Sequence, residues 1–261
     1  MEQVPFLRSH PGYCKRTDTM CFECNSSPLS RRSLLKFAGI GGVAVMTAGF
    51  DMTMPAFASN APALLPDEAL AKLQEGNKKF VADTEACAAN ISKRRQDVAK
   101  SQAPWAIVLT CSDSRVVPEL VFGGVTLGEL FVARNAGNVV DTDVLGTIEY
   151  GTEHLHAPLI VVMGHKRCGA VSAACEVVSK GTKLDGSIGK MTQPILPVAL
   201  AETDRGDNFV DNTVHANAFN GAERILTESA IVSRLVEEGK VKIVPAYYDL
   251  DTGVVDFLHK V

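Results

Sequence analysis

Two short runs restrict the fold more than anything else in this 261-residue chain. Trp105-Ala106-Ile107-Val108-Leu109-Thr110 and Leu159-Ile160-Val161-Val162-Met163 are apolar and β-branched, without the alternation of a strand that has one wet face. Runs of this length and composition belong to strands covered on both faces, the condition of parallel sheets flanked by helices. Each run gives way to residues that carry chemistry: Cys111-Ser112-Asp113-Ser114-Arg115 after the first, His165-Lys166-Arg167-Cys168 after the second. In open α/β sheets, ligand sites form beyond the carboxyl ends of the strands. The two chemical runs are expected to meet there.

Helix and strand signals alternate along the rest of the chain. Pro66-Asp67-Glu68 opens a helix that runs to about Asp83, with proline pre-set for the first turn and acids at the positive end. A second short helix is expected over 92–101. After the first strand come a helical turn at Pro118–Phe122, a strand over Glu129–Val132, a loop over Arg134–Asn138 and a helix from Asp141 to His154. After the strand Leu159–Met163, a helix opens at Cys168 with Val171, Ala174, Cys175 and Val178 at helical spacing. Gly181–Gly189 reads as a mobile connection, Met191–Ala201 as a helix interrupted by Pro194 and Pro197, and Asn208–Glu238 as one long helix. Val241–Tyr248 is a strand, and Gly253–Leu258 a last, antiparallel one. The pattern predicts an α/β fold: a mostly parallel β-sheet flanked by helices, with an N-terminal helical arm.

The first 58 residues read differently. Ser30-Arg31-Arg32-Ser33-Leu34-Leu35-Lys36 resembles a twin-arginine export signal. The uncharged stretch Phe37–Phe50 after it suits a signal core and is too short to span a bilayer, and Ala56-Phe57-Ala58 offers a cleavage site. Residues 1–58 are thus expected to be an export signal and its leading segment, removed to leave 59–261 as the mature domain. The protein is then periplasmic or otherwise exported, and meets a membrane only in transit. The formal net charge of −4 offers no basic face, which argues against a nucleic-acid partner. Seven scattered cysteines are an odd number and no disulfide framework. Cys14, Cys21 and Cys24 precede the arginines. Of the cysteines past residue 58, Cys87 and Cys175 read as packing residues.

Cys111, His165 and Cys168 offer the thiolate and imidazole donors that zinc favours, and three protein ligands leave a tetrahedral position open, the pattern of catalytic sites. Asp113, two residues past Cys111, is a candidate fourth ligand. On the residues alone a competing reading stands: a Cys111–Cys168 disulfide beside an ordinary loop histidine.

Cys111-Ser112-Asp113-Ser114-Arg115, Arg134-Asn135-Ala136-Gly137-Asn138 and Gly164-His165-Lys166-Arg167-Cys168-Gly169-Ala170 together resemble the β-class carbonic anhydrases, over about Leu70 to Leu258. The resemblance implies Zn2+ held by Cys111, His165 and Cys168. It implies Asp113 and Arg115 as the catalytic pair, with Asp113 either bound to Arg115 or acting as a fourth metal ligand in a closed state. It implies reversible hydration of CO2 to bicarbonate by zinc-bound hydroxide, and a homodimer or higher homo-oligomer. Lys166-Arg167 is more basic than the family often shows. Two other readings use the same features: a CS2 or COS hydrolase on the same zinc fold, and a non-catalytic zinc-binding module, which would need neither Asp113 nor Arg115.

Overall fold

A computed structural model describes residues 64–83, 94–95, 98–203 and 206–259, all within the compact unit Thr53–Val261. Residues 1–58, expected to be an export signal, and Cys87 lie outside the described residues. Five strands form one sheet: β1 (Ala106–Cys111), β2 (Leu130–Asn135), β3 (Leu159–His165), β4 (Lys242–Tyr248) and β5 (Val255–Phe257), in the order β2-β1-β3-β4-β5. All neighbours run parallel except β5, which pairs antiparallel with β4. β1 and β3 lie side by side at the centre with every residue buried, as their unbroken apolar sequences require.

Helices cover both faces. On one lie α1 (Pro66–Ala82) and the single turn α2 (Pro118–Val121), closing a core of Leu70, Leu73, Phe122, Val161, Met163 and Val244. On the other lie α3 (Thr142–Glu153), α7 (Phe209–Glu228) and α8 (Ala230–Glu237), over Ile107, Leu109, Ile148, Ile160, Val162 and Ile225. Each such side chain taken out of water contributes about 1.5–3 kcal/mol. Between these, α4 (Gly169–Lys180), α5 (Gly186–Thr192), a 3-10 turn (Gln193–Ile195) and α6 (Leu196–Glu202) pack around the carboxyl ends of β1 and β3. Among the described residues, no helix is long and apolar enough to cross a membrane.

The structure departs from the sequence expectations in places, each with a local cause. The stretch expected to be one helix over 208–238 breaks at Ser229, which is extended and whose hydroxyl accepts the Val232 N–H at 3.1 Å, so it caps a new helix. The connection expected over 181–189 is partly ordered as α5. Pro194 and Pro197 start helical turns rather than interrupt one, because proline suits a position whose N–H has no partner anyway. The helix expected over 92–101 is not formed where the chain is described: residues 94–95 and 98–100 are turn and bend. β2 runs two residues into the stretch read as a loop, taking in Arg134 and Asn135. The N-terminal helix buries Ala69, Leu70 and Leu73 against the chain's own sheet.

Glu129 ties α1 to the sheet. Its carboxylate accepts the Thr126 backbone N–H at 2.7 Å and the Thr126 hydroxyl at 2.9 Å, and it receives Lys72 Nζ at 3.2 Å. Lys72 also sits 4.2 Å above the Trp105 ring. Burial pushes the Glu129 pKa up, but the Thr126 and Lys72 contacts together outweigh it, so the carboxyl lies below its ordinary value. A depressed folded-state pKa stabilises the fold above the ordinary carboxylate range, and that contribution is lost as pH falls through it. Glu129→Gln should therefore cost about 1–3 kcal/mol at pH 7, and the gap from wild type should narrow below about pH 4. Denaturant unfolding at both pH values checks this; equal stabilities at pH 7 would contradict it.

Candidate metal centre

β1 ends at Cys111 and β3 at His165, and Cys168 follows as the residue that caps α4. Parallel pairing of the two strands therefore delivers the three side chains to one point. Their ligand atoms all lie within 4.8 Å of one another, and all three residues are buried. The Cys111 and Cys168 Sγ atoms are 3.9 Å apart and both thiols are free, so the competing disulfide, which needs about 2.05 Å, is not formed. Two sulfurs each about 2.3 Å from a tetrahedral zinc ion would lie about 3.8 Å apart, so the observed separation fits that ion.

His165 is set as a ligand by its other nitrogen. Nδ1 lies 3.0 Å from the Lys166 carbonyl oxygen, which only accepts, so in the neutral ring Nδ1 carries the proton. Nε2 then presents a lone pair, and it is buried with no hydrogen-bond partner among the described residues. A carbonyl behind the imidazole is the usual support of a metal-bound histidine. The sulfurs are electrostatically unequal. The Cys168 S–H and the Gly137 N–H at 3.4 Å favour a thiolate on Cys111, against its burial, whereas the same pairing and burial push Cys168 up. Two adjacent thiolates repel, so both ionise together only with a cation between them.

Asp113 stands outside this triad. Its Oδ1 accepts Arg115 Nε and the Arg115 backbone N–H, each at 2.9 Å, and its Oδ2 accepts an Arg115 terminal nitrogen at 2.7 Å. The guanidinium holds the carboxyl well below the usual carboxylate range. Asp113 Oδ2 lies 3.8 Å from His165 Nε2, so the pair borders the ligand group while Asp113 is turned to Arg115. Cys175, read as a packing residue, is buried and 3.4 Å from the Thr213 hydroxyl.

The sequence marks Arg134-Asn135-Ala136-Gly137-Asn138 as a motif but gives Arg134 and Asn135 no part in holding this frame. Arg134, at the end of β2, donates to the Cys111 carbonyl at 3.0 Å and the Asp113 carbonyl at 2.7 Å, fixing the Cys-x-Asp backbone. Asn135 pins the next loop by bonds to the Val139 N–H and carbonyl, at 2.8 and 2.7 Å. That loop brings the Gly137 N–H to Cys111. Gly137 has φ +81°, and a Cβ there would come within 2.8 Å of Ile195 and 3.1 Å of Ala170, so only glycine fits. The position of Arg134 and Asn135 directly after a strand was the available signal. Lys166 and Arg167, singled out only for their charge, form ion pairs with Asp249 and Asp251.

A mostly parallel α/β sheet carries two cysteines and a histidine at its central strand ends, beside an aspartate–arginine pair, and that donor set suits a zinc ion. A family model described as carbonic anhydrase matches residues 106–255. The chain is 36% identical over 188 residues to carbonic anhydrase 2 of Mycobacterium tuberculosis, covering 72% of this chain and 90% of that one. Among solved structures it is similar to a β-carbonic anhydrase of Coccomyxa in complex with acetazolamide, with a TM-score of 0.58 and 31% identity, covering 73% of this chain and 86% of that one. It is also similar to a tetrameric β-carbonic anhydrase of Sordaria macrospora, with a TM-score of 0.57 and 25% identity, over 62% and 84% of the two chains. The chain belongs to the carbonic anhydrase family, in its β class, and is an enzyme of that kind.

Proposed function

We propose that this carbonic anhydrase interconverts CO2 and bicarbonate with Zn2+ held by Cys111, His165 and Cys168, and that it works outside the cytoplasm. The observation that carries the metal reading is the buried His165 Nε2, which has no hydrogen-bond partner among the described residues and lies within 4.8 Å of two thiols. Zinc, when bound, supplies the Lewis acidity that in the three-histidine carbonic anhydrases brings the pKa of water to about 7.

The chain's own residues do the rest. Asp113, kept ionised by Arg115, is an acceptor beside the ligand triad: it takes a hydrogen bond from the attacking oxygen and so turns that oxygen's lone pair toward CO2. Arg115 engages both Asp113 oxygens, which fixes the acceptor and keeps it from the metal. Without Arg115 the carboxylate is free to act as a fourth ligand and close the site. Arg134 keeps the Asp113 backbone in register with Cys111. A non-catalytic zinc module would have no use for this pair.

The export reading rests on Arg31-Arg32 and the uncharged stretch after them, and on chemistry: a thiol pair 3.9 Å apart would be open to oxidation outside the cell unless metal were loaded first. A folded, metal-loaded protein is what the twin-arginine route carries. For assembly, we read a homodimer or a multiple of it. β2 is an edge strand with a half-exposed face, and the Sordaria relative is tetrameric. The packing of α1 on its own sheet removes the need of that helix for a partner.

Each of these readings can be checked by measurement. The folded protein should carry about one zinc per chain and hydrate CO2 in stopped flow, and Cys168→Ser should abolish both. Arg115→Ala should keep zinc but lose at least about tenfold in kcat/KM, the effect of losing a well-placed charged contact; a variant with wild-type kcat/KM overturns the role of the Asp113–Arg115 pair. Replacing Arg31 and Arg32 by lysine should leave the protein in the cytoplasm, and unchanged recovery outside would refute twin-arginine export. Light scattering at micromolar concentration should give twice the chain mass or a multiple of it; a monomer would refute the assembly.

A further inference from the structure

We propose that Asp249 and Asp251, in the turn between β4 and β5, are positioning residues for the metal: they clamp Lys166 and Arg167 and thereby fix the spacing between His165 and Cys168. The inference rests on the zinc reading above. Two of the three ligands sit on one short loop, and the two residues between them carry no ligand atom. Both are held by the same turn. Lys166 Nζ lies 3.0 Å from Asp249 Oδ2 and 3.1 Å from Asp251 Oδ2, and Arg167 makes a two-pronged contact to Asp251 at 2.8 and 2.6 Å.

The loop needs such a hold. Arg167 has φ +55°, the left-handed region in which a residue with a Cβ is strained. Strain of this kind persists only where surrounding contacts over-determine it. Released, Arg167 would relax toward an ordinary conformation and swing Cys168, its direct neighbour, away from the site. The Lys166 N–H donates to the Tyr248 carbonyl at 2.9 Å, extending the β3–β4 ladder one step past His165 and bringing the loop against the turn.

The turn is built to be rigid. Asp249 Oδ1 accepts the Asp251 and Thr252 N–H groups at 2.7 and 3.2 Å, leaving Oδ2 for Lys166. From behind, the buried Asn77 of α1 donates to the Gly253 and Val121 carbonyls at 2.9 and 3.0 Å and accepts the Val255 N–H at 2.8 Å. The clamp therefore connects the N-terminal helix to the metal loop through side chains that touch neither metal nor substrate. The carboxylates also offset two cations that would otherwise stand unbalanced beside a dication. Arg167 and Asp251 are about half exposed, at 51% and 52%, so each pair alone is weak and salt-sensitive; the effect lies in the geometry they impose together.

The test follows zinc rather than turnover. The zinc-loaded full chain is mixed with an excess of a chromogenic chelator, and the rate of metal transfer is read for wild type, Asp251→Asn, Asp251→Glu and Asp67→Asn. Asp67 makes an equally short pair with Lys242, 2.7 Å, at the far end of β4, and is the control for surface ion pairs in general. Losing a supporting group behind a metal ligand weakens metal binding by about 10–100-fold. Asp251→Asn should release zinc at least about tenfold faster than wild type. Asp251→Glu should recover most of the retention, and Asp67→Asn should match wild type. In the Co2+-loaded protein, the visible spectrum should shift in Asp251→Asn and return in Asp251→Glu, a signature that general loosening of the fold would not give. If Asp251→Asn fails to fold, Arg167→Gln removes the same clamp from the other side and should release zinc equally fast. A wild type that holds zinc, with Asp251→Asn or Arg167→Gln releasing it at the wild-type rate, overturns the clamp and leaves the zinc reading standing. A wild type that binds no zinc overturns both.

Discussion

The structure depends on the parallel pairing of β1 with β3. Both strands are buried along their whole length, so neither can slip without exposing apolar side chains, and their register places Thr110 beside Met163. The next residues are Cys111 on one strand and Gly164-His165 on the other. A thiol and an imidazole from positions 54 residues apart thus arrive together with no interaction of their own to bring them. The hydrophobic effect does the assembling, and the chemistry is carried at its edge.

The group assembled there is electrostatically unfinished. The contact between the two thiols favours a thiolate on Cys111 over one on Cys168, and a histidine offers a lone pair that no described residue takes. A buried donor set with unsatisfied acceptors is costly in a stable fold unless a cation completes it. The aspartate that could serve such a cation as a further donor is instead held by a guanidinium, in a contact that uses both oxygens. The same pairing keeps Asp113 ionised and turned to Arg115 beside the three ligand candidates, so one ion pair sets both its charge state and its direction.

Around this centre, the fixing groups come from every side. Arg134 reaches in from the edge strand, Gly137 from the loop after it, and Asp249 and Asp251 from the far hairpin. Arg134 acts on backbone, Asp249 and Asp251 on residues next to ligand candidates, and Gly137 on the Cys111 sulfur itself. The centre combines a dry, apolar base with a polar rim that sets its geometry.

The sequence by itself determined the class of fold and the identity of the ligand candidates. Unbroken β-branched runs can only be doubly covered strands, and chemical residues directly after them have one place to go. It also marked the ends of most elements, since proline, glycine and capping residues act locally; Ser229 was such a signal, overlooked because the apolar spacing continues on either side of it. Tertiary structure alone decided what no local rule reaches: that the two thiols stay apart at 3.9 Å, that Asp113 turns to Arg115, that α1 lies on its own sheet, and that Arg134, Asp249 and Asp251 brace the ligand loops. Apart from Asp113 with Arg115, these depend on pairs far apart in sequence, such as Arg134 with Asp113, 21 residues, and Lys166 with Asp251, 85 residues. Charge alone marks such residues as solvated surface, and only the folded register shows which of them meet.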